Sequence, residues 1–283
     1  MGDKMSWALW NGSLMPLAEV RVPVLDRGYL FGDSVYEVIR LYAGRPFLLE
    51  EHERRLSRSL RELGIEAVGT GLRPKIARLV ERSGIRDGSV YLQISRGVGP
   101  RSHVPPPGLV PNELLFVQEL QQQILKEVGS RGIRAYLADD LRWGRCDIKT
   151  TNLLGNCLAL TAAKAKGGGE ALLVDRDGYV SEGTHASFFG VKGTALVTTP
   201  LTHNILPSIT RAFVLELAGR NGIAACERRL AASEIADLDE AFFVGTISEL
   251  TPVVQVDERV IGCGEPGVVT RRLQRLYGEA VAR

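Results

Sequence analysis

Residues 146–156 read CDIKTTNLLGN. Lys149 stands between the apolar Ile148 and the polar run Thr150-Thr151-Asn152, and an amphipathic pattern begins directly after it. The simplest reading of such a lysine is a solvated charge at a helix start. The other reading is a reactive amine. Amine nucleophiles act by forming Schiff bases and need a neutral ε-amino group. A helix N-terminus carries partial positive charge and disfavours an ammonium beside it. NLLGNCLALTAAKAK predicts a helix with Leu153, Leu154, Cys157, Leu158 and Thr161 on its inward face. Lys149 would then lie at its N-terminal end, where an amine loses its proton readily.

The rest of the chain bounds what such an amine could serve. At 283 residues there is room for about two domains of ordinary size. Apolar residues make up 45% and charged residues 24%, enough for a large packed core. A net charge of +2 is too balanced to argue a nucleic-acid partner from electrostatics. Cys146, Cys157, Cys226 and Cys263 lack the paired spacing of a metal site or disulfide framework. The start MGDKMSWALW has no long apolar segment, and no later run could span a bilayer. A soluble cytoplasmic protein with reduced thiols is expected. Gly2 and Ser6 fit an acylation pattern, but six residues match by chance and nothing polybasic accompanies them.

Asn11-Gly12 between two apolar runs predicts a hairpin. VRVPVL and SVYEVIRLYAGRPFLL read as strands. LLEEHERRLSRSLRELGI reads as a helix, with Leu49, Leu56, Leu60 and Leu63 at helical spacing and Gly64 closing it. LRPKIARLVERSGI is a second helix, SVYLQISRG and LLFVQEL are strands, and RSHVPPPG between them is a loop. The Gln-rich patch at 121–127 is the expected linker between a smaller domain, 1–120, and a larger one, 128–283. In the larger part, hairpins are expected at Asp177-Gly178 and Lys192-Gly193. A helix starts near Ser208, and helix, strand, turn and strand follow in SEIADLDEAFFVGTISELTPVVQVD. The tally is α+β, with a sheet in each of two domains.

No Walker loop, no GxGxxG after a strand, no GxSxG and no HExxH is present; EEHERRL begins like the last but has Leu56 where the second ligand would be. The four histidines are too scattered to argue a metal site. Lysine chemistry remains, with an anion-binding theme. In order along the chain come DRGYLFGDSVYEVIR, EEHERRL, YLQISRGVGPRSH, RCDIKTTNLLG, VSEGT, ILPSITR and GTISELTPV. Together they resemble the fold-type-IV pyridoxal-phosphate enzymes, and most closely their D-amino-acid aminotransferase branch. That resemblance implies a small N-terminal α/β domain, a larger C-terminal domain with a β-barrel-like sheet, and a site at the domain interface.

By the same resemblance Lys149 carries the pyridoxal 5'-phosphate and moves the substrate's α proton. Glu182 partners the pyridine nitrogen. Arg55 is the phosphate arginine of EEHERRL; helical periodicity leaves Arg54 and Arg55 equal, and the motif selects between them. Ile209 and Thr210 offer backbone amides at a helix start, Leu206 packs on the ring face, and Thr246 supplies a hydroxyl at a second phosphate turn. Arg101 and His103, completed by Tyr36, match a trap for the substrate α-carboxylate. The resemblance implies transamination of D-amino acids with 2-oxoglutarate, giving a 2-oxo acid and D-glutamate, in a homodimer. A branched-chain L-amino-acid aminotransferase is the alternative, and an aminodeoxychorismate lyase a more distant one. The chain departs from the branch after Glu182: a Ser-rich stretch ending in Asn is replaced by Thr184-His185-Ala186-Ser187, which leaves the substrate range open.

Overall fold

The computed structural model describes residues 6–66 and 71–282, so Gly2 of the acylation-like pattern lies outside it. The chain divides into two compact units, Met1–Leu120 with Ile148–Asn152, and Gln121–Asp147 with Leu153–Arg283. The Gln-rich stretch read as a linker is the start of a helix, and Ile148–Asn152 groups with the first unit, which the expected division did not foresee.

In the first unit, β1 (Trp7–Trp10) and β2 (Ser13–Pro16) form the hairpin expected at Asn11-Gly12. Both turn residues have positive φ, 48° and 81°, as a tight two-residue hairpin turn demands. VRVPVL, expected to be a strand, is not one: Val24 is 71% exposed, and Pro23 has no N–H for a ladder. A short helix that periodicity did not reveal follows, α1 (Arg27–Phe31), capped by the Asp26 side chain accepting from Gly28 N at 2.7 Å. Then come β3 (Ser34–Tyr42), β4 (Arg45–Pro46), α2 (Leu49–Leu63), α3 (Leu72–Ser83), β5 (Gly88–Ser95) and β6 (Asn112–Glu119). The sheet runs β2-β1-β6-β5-β3-β4 and is antiparallel throughout. Alternation along β3 sends Val35, Ile39 and Leu41 into a core with Leu49, Leu56 and Leu60 of α2 and Ile76 and Leu79 of α3. Glu37 occupies the same row and is equally buried, so the core face of this strand carries a carboxylate.

The second unit holds α4 (Gln122–Arg131), β7 (Ile133–Asp139), α5 (Leu154–Ala165), β8 (Glu170–Val174), β9 (Val180–Gly183), β10 (Ser187–Lys192), β11 (Ala195–Thr198), α6 (Ile209–Arg220), β12 (Ala225–Glu227), β13 (Glu240–Gly245), β14 (Glu249–Val256), β15 (Arg259–Val260) and α7 (Val268–Ala282). Its sheet runs β12-β11-β10-β13-β14-β7-β8-β9, with β15 on β14. This order forces the sheet to curl. In a flat sheet β9 and β10 would stand five strand spacings apart, about 24 Å. Only Thr184, His185 and Ala186 join them, and four Cα steps reach at most about 15 Å. The sheet therefore wraps into a half-barrel, with Phe188, Phe243, Leu172 and Val253 among the residues packed in one core. On the other row of the same strands Phe189 stacks on Phe242, ring centroids 5.1 Å apart.

The face assigned to α5 is corrected. Leu154 and Leu158 are 72% and 63% exposed, and Ala163 is the buried residue of the helix. Among the described residues no helix is long and apolar enough to cross a membrane.

Candidate active site

Lys149 does not sit at a helix start: α5 begins at Leu154, five residues further on. Its position comes from β3 instead. Strand β4 covers only Leu41 and Tyr42 on that side of β3. The lysine segment lies along the remainder, with Tyr36 N donating to Lys149 O at 3.0 Å, Thr150 bridged to Val35, and Ser34 and Thr151 hydroxyls 2.5 Å apart. Lys149 N also reaches the Ser59 hydroxyl of α2 at 3.3 Å. These bonds fix the backbone of a half-buried lysine whose Nζ lies 4.1 Å from the centroid of the Tyr36 ring. Two residues that the motifs singled out separately, Lys149 and Tyr36, are thus neighbours.

On the opposite row of β3, Glu37 accepts from Arg55 through Nε at 2.8 Å and Nη2 at 2.9 Å, and its Oε2 lies 2.7 Å from His52 Nδ1. Burial alone would raise the Glu37 carboxyl, but the Arg55 guanidinium overrides it and holds the group down at about 2. Burial also lowers the His52 imidazole, against the pull of Glu37. Arg54 points away, 74% exposed and paired with Glu51. The register chosen by the motif is the one in which Arg55 is the buried arginine.

Arg101 and His103 are exposed, on the loop between β5 and β6. Both flank Phe31: the Arg101 guanidinium lies 5.8 Å and the His103 ring 5.7 Å from its centroid. The loop is anchored by Arg27, a buried residue of α1. Its Nη1 donates to Ser102 O at 2.6 Å and its Nη2 to His103 O at 3.2 Å, while Nε is held by Asp33.

In the second unit, Glu182 is buried at the end of β9. Its Oε1 accepts from Arg142 Nη1 at 2.6 Å and from Leu206 N at 3.2 Å. Arg142 is gripped in turn by Asp140, Nε to Oδ1 at 2.9 Å and Nη2 to Oδ2 at 2.8 Å, and Ser181 Oγ donates to Asp140 Oδ2 at 2.7 Å. Burial raises the Glu182 carboxyl above its ordinary value, with the Arg142 guanidinium pulling the other way. Cys146, close to this group, is pushed up to about 11 by burial, which keeps it a thiol and removes it as a nucleophile.

Helix α6 starts as expected. Ser208 caps it, its side chain accepting from Arg211 N at 3.1 Å. That leaves the first two amides, Ile209 and Thr210, without a recorded acceptor among the described residues, at a helix N-terminus suited to an anion. Thr246 lies in the turn between β13 and β14, half-buried.

This donor set fits a phosphorylated pyridine cofactor. Both recorded donors to Glu182 reach Oε1, and Oε2 can take a ring N–H. Within the second unit the first amides of α6 suit a phosphate; within the first, no carboxylate lies within salt-bridge reach of Lys149 among the described residues.

Arg142, Asp140 and Glu37 were not singled out in the sequence. Asp140-x-Arg142 is a common spacing for a solvated pair, and nothing local says that it will be buried. Glu37 offered one signal, a carboxylate on the apolar row of a strand.

Residues 34–256 match the model of the family described as amino-transferase class IV. The chain is 40% identical to a D-alanine aminotransferase of Bacillus licheniformis over 268 residues, 94% of each chain. It is 35% identical to one of Staphylococcus haemolyticus, covering 96% of each. Among solved structures, a branched-chain amino acid aminotransferase of Escherichia coli superposes with a TM-score of 0.91 at 27% identity, over 98% of this chain and 94% of that one. The branched-chain amino acid aminotransferase of Thermobaculum terrenum, solved in its PLP form, gives 0.86 at 27%, over 99% of this chain and 94% of that one. A family match from β3 to β14, spanning the lysine segment, Glu182, the start of α6 and the turn that carries Thr246, leaves one assignment: the chain belongs to the class IV aminotransferases.

Proposed function

We propose that the protein transaminates D-amino acids of the D-alanine type, with 2-oxoglutarate as acceptor, yielding a 2-oxo acid and D-glutamate. The observation that carries this is the 40% identity to a D-alanine aminotransferase over 94% of both chains. The Arg101/His103 pair and Tyr36 support it. The branched-chain alternative rests on structural likeness at 27% identity, which the shared fold already explains.

Enzymes of this class depend on pyridoxal phosphate, which when bound accepts the substrate amine covalently and draws off the electrons left at Cα. Arg55, the Ile209 and Thr210 amides and the Thr246 hydroxyl would hold its phosphate. Glu182 Oε2 would accept from the ring N–H, with Arg142 favouring the ionised form of that carboxylate, and Leu206 would pack on the ring. Lys149 Nζ takes the proton from the substrate Cα and returns one in the reverse half-reaction. Arg101, His103 and Tyr36 bind the α-carboxylate, which both substrates carry. The same reading makes the protein a cytoplasmic homodimer without nucleic-acid or membrane partners; its four free cysteines suit a reducing compartment.

Amino-donor profiling tests the reading. With 2-oxoglutarate as acceptor, D-alanine is expected to be used at least tenfold better than L-leucine, at about 1.4 kcal/mol per decade. The reverse preference would transfer the protein to the branched-chain group.

A further inference from the structure

The turn that replaces a Ser-rich stretch, Thr184–Ala186, is not left to itself. Glu170 opens β8 and is buried, its side chain 3% exposed. Its Oε1 accepts from Ala171 N at 2.9 Å, Thr184 N at 3.1 Å and Thr184 Oγ1 at 2.5 Å. Its Oε2 faces His185 Nδ1 at 2.7 Å, the one positively chargeable side chain recorded on it among the described residues. A nitrogen that bonds a carboxylate must carry the proton, so Nδ1 of His185 is the protonated ring nitrogen. From α5, Asn156 Nδ2 donates to Thr184 O at 2.6 Å, and within the turn Gly183 N donates to Ala186 O at 2.7 Å. The turn is therefore held from two elements.

It is also in contact with a second turn. A Cβ placed on Gly245 would lie 3.6 Å from His185 O and 3.7 Å from the Ala186 Cβ. One on Gly183 would lie 2.9 Å from the Phe243 ring, two residues before Gly245. The segment after Glu182 thus runs close beside the segment that carries Thr246, and Ser187 pairs with Val244 where the two continue as β10 and β13.

We propose that Glu170 and His185 are positioning residues: they lock the turn after Glu182 against the Gly245–Ile247 turn and so set the spacing of two groups that hold the cofactor. The inference rests on the reading in which Glu182 and Thr246 bind pyridoxal phosphate.

The test is the dissociation constant of pyridoxal phosphate, measured by titrating it into apoprotein, with the apoprotein melting temperature alongside. His185→Ala is expected to raise the constant roughly tenfold, the size of one charge-assisted hydrogen bond. His185→Lys, which keeps a cation, is expected to stay within about threefold of the parent. Glu170→Gln in the His185→Ala background should recover part of the loss, since no buried charge is then unpaired. Thr246→Val serves as the reference and should also weaken binding. An unchanged constant in both His185→Ala and Glu170→Gln, with Thr246→Val weakened, overturns the proposal, whatever the melting temperature does. An unchanged constant in Thr246→Val as well overturns the underlying assignment of that turn. Should His185→Ala not fold, the Glu170→Gln constant decides alone: a value equal to the parent's overturns the proposal.

Discussion

Arg142 Nη1 donates to Glu182 Oε1 across 2.6 Å, joining residues 40 apart in sequence, with side chains only 6% and 7% exposed. A carboxylate buried that deeply stays ionised only while a cation stays with it. Asp140 holds the cation in place with two parallel bonds, a geometry that guanidinium supports and ammonium does not. The cation beside Glu182 is held by a pair that begins two residues apart on the chain.

Arg142→Met is expected to destabilise the apoprotein by about 3–5 kcal/mol at pH 8, the usual result of leaving one member of a buried pair. Glu182 would then have a folded-state value raised well above the unfolded one. Its stabilising contribution is complete below the unfolded value and lost as pH rises through the folded one. The variant should regain stability on acidification from pH 8 to 5.5, and Arg142→Met/Glu182→Gln should show no such slope. Chemical denaturation at the two pH values reads both; parallel pH dependence in parent and variant refutes the coupling.

The first unit should be acid-sensitive. Glu37 is held at about 2, against 4.5 as its ordinary value, so it stabilises the fold above the unfolded value and ceases to as pH falls towards 2. The lowered His52 acts in the same direction, beginning as pH drops below its ordinary value. Glu37 alone corresponds to on the order of 3 kcal/mol. Glu37→Gln should flatten the limb between pH 4.5 and 2 in a denaturation series, at the expense of stability near neutrality.

Lys149→Ala should lower kcat by about a thousandfold or more, the range of a lost general base. Steady-state rates with D-alanine decide it, and near-parental turnover would remove Lys149 from the chemistry.

Arg55→Ala should release pyridoxal phosphate more readily, by about 2–3 kcal/mol of binding, as for a charged hydrogen-bond donor. Arg54→Ala should not, because Arg54 is turned to solvent beside Glu51. Equilibrium dialysis of the two variants separates them, and the opposite ranking would show that the helix register is misassigned.

Arg27 makes a prediction that sequence alone would not suggest. With its two bonds to the Ser102 and His103 carbonyls gone, Arg27→Met should raise KM for D-alanine and 2-oxoglutarate together, by roughly fivefold to tenfold, at about 1 kcal/mol for partial loss of placement. The spectrum of bound cofactor should not change. Arg101→Ala should act on the same substrates more strongly, about 30- to 150-fold in kcat/KM. A change in KM for only one of the two substrates would argue against a shared carboxylate trap.

Local chemistry in the sequence settled a good deal of this molecule. Asn11-Gly12 dictated the hairpin because both residues tolerate positive φ. Leu49, Leu56 and Leu60 dictated the buried stripe of α2, and Gly64 its end. Ser208 placed the start of α6, and the ordered motifs carried the family. Hydrophobic periodicity failed at α5, whose leucines are largely exposed, because a pattern records which face is apolar and not whether anything covers it. It failed again at Lys149, where strand pairing with β3 and not a helix terminus sets the backbone. Which polar groups meet was beyond its reach altogether. Glu37 with Arg55, Arg142 with Glu182 and His185 with Glu170 are pairs that closure of the chain brings together, and burial of Glu37, Glu182 and Glu170 turns each carboxylate from a solvated charge of little consequence into one that must find its partner.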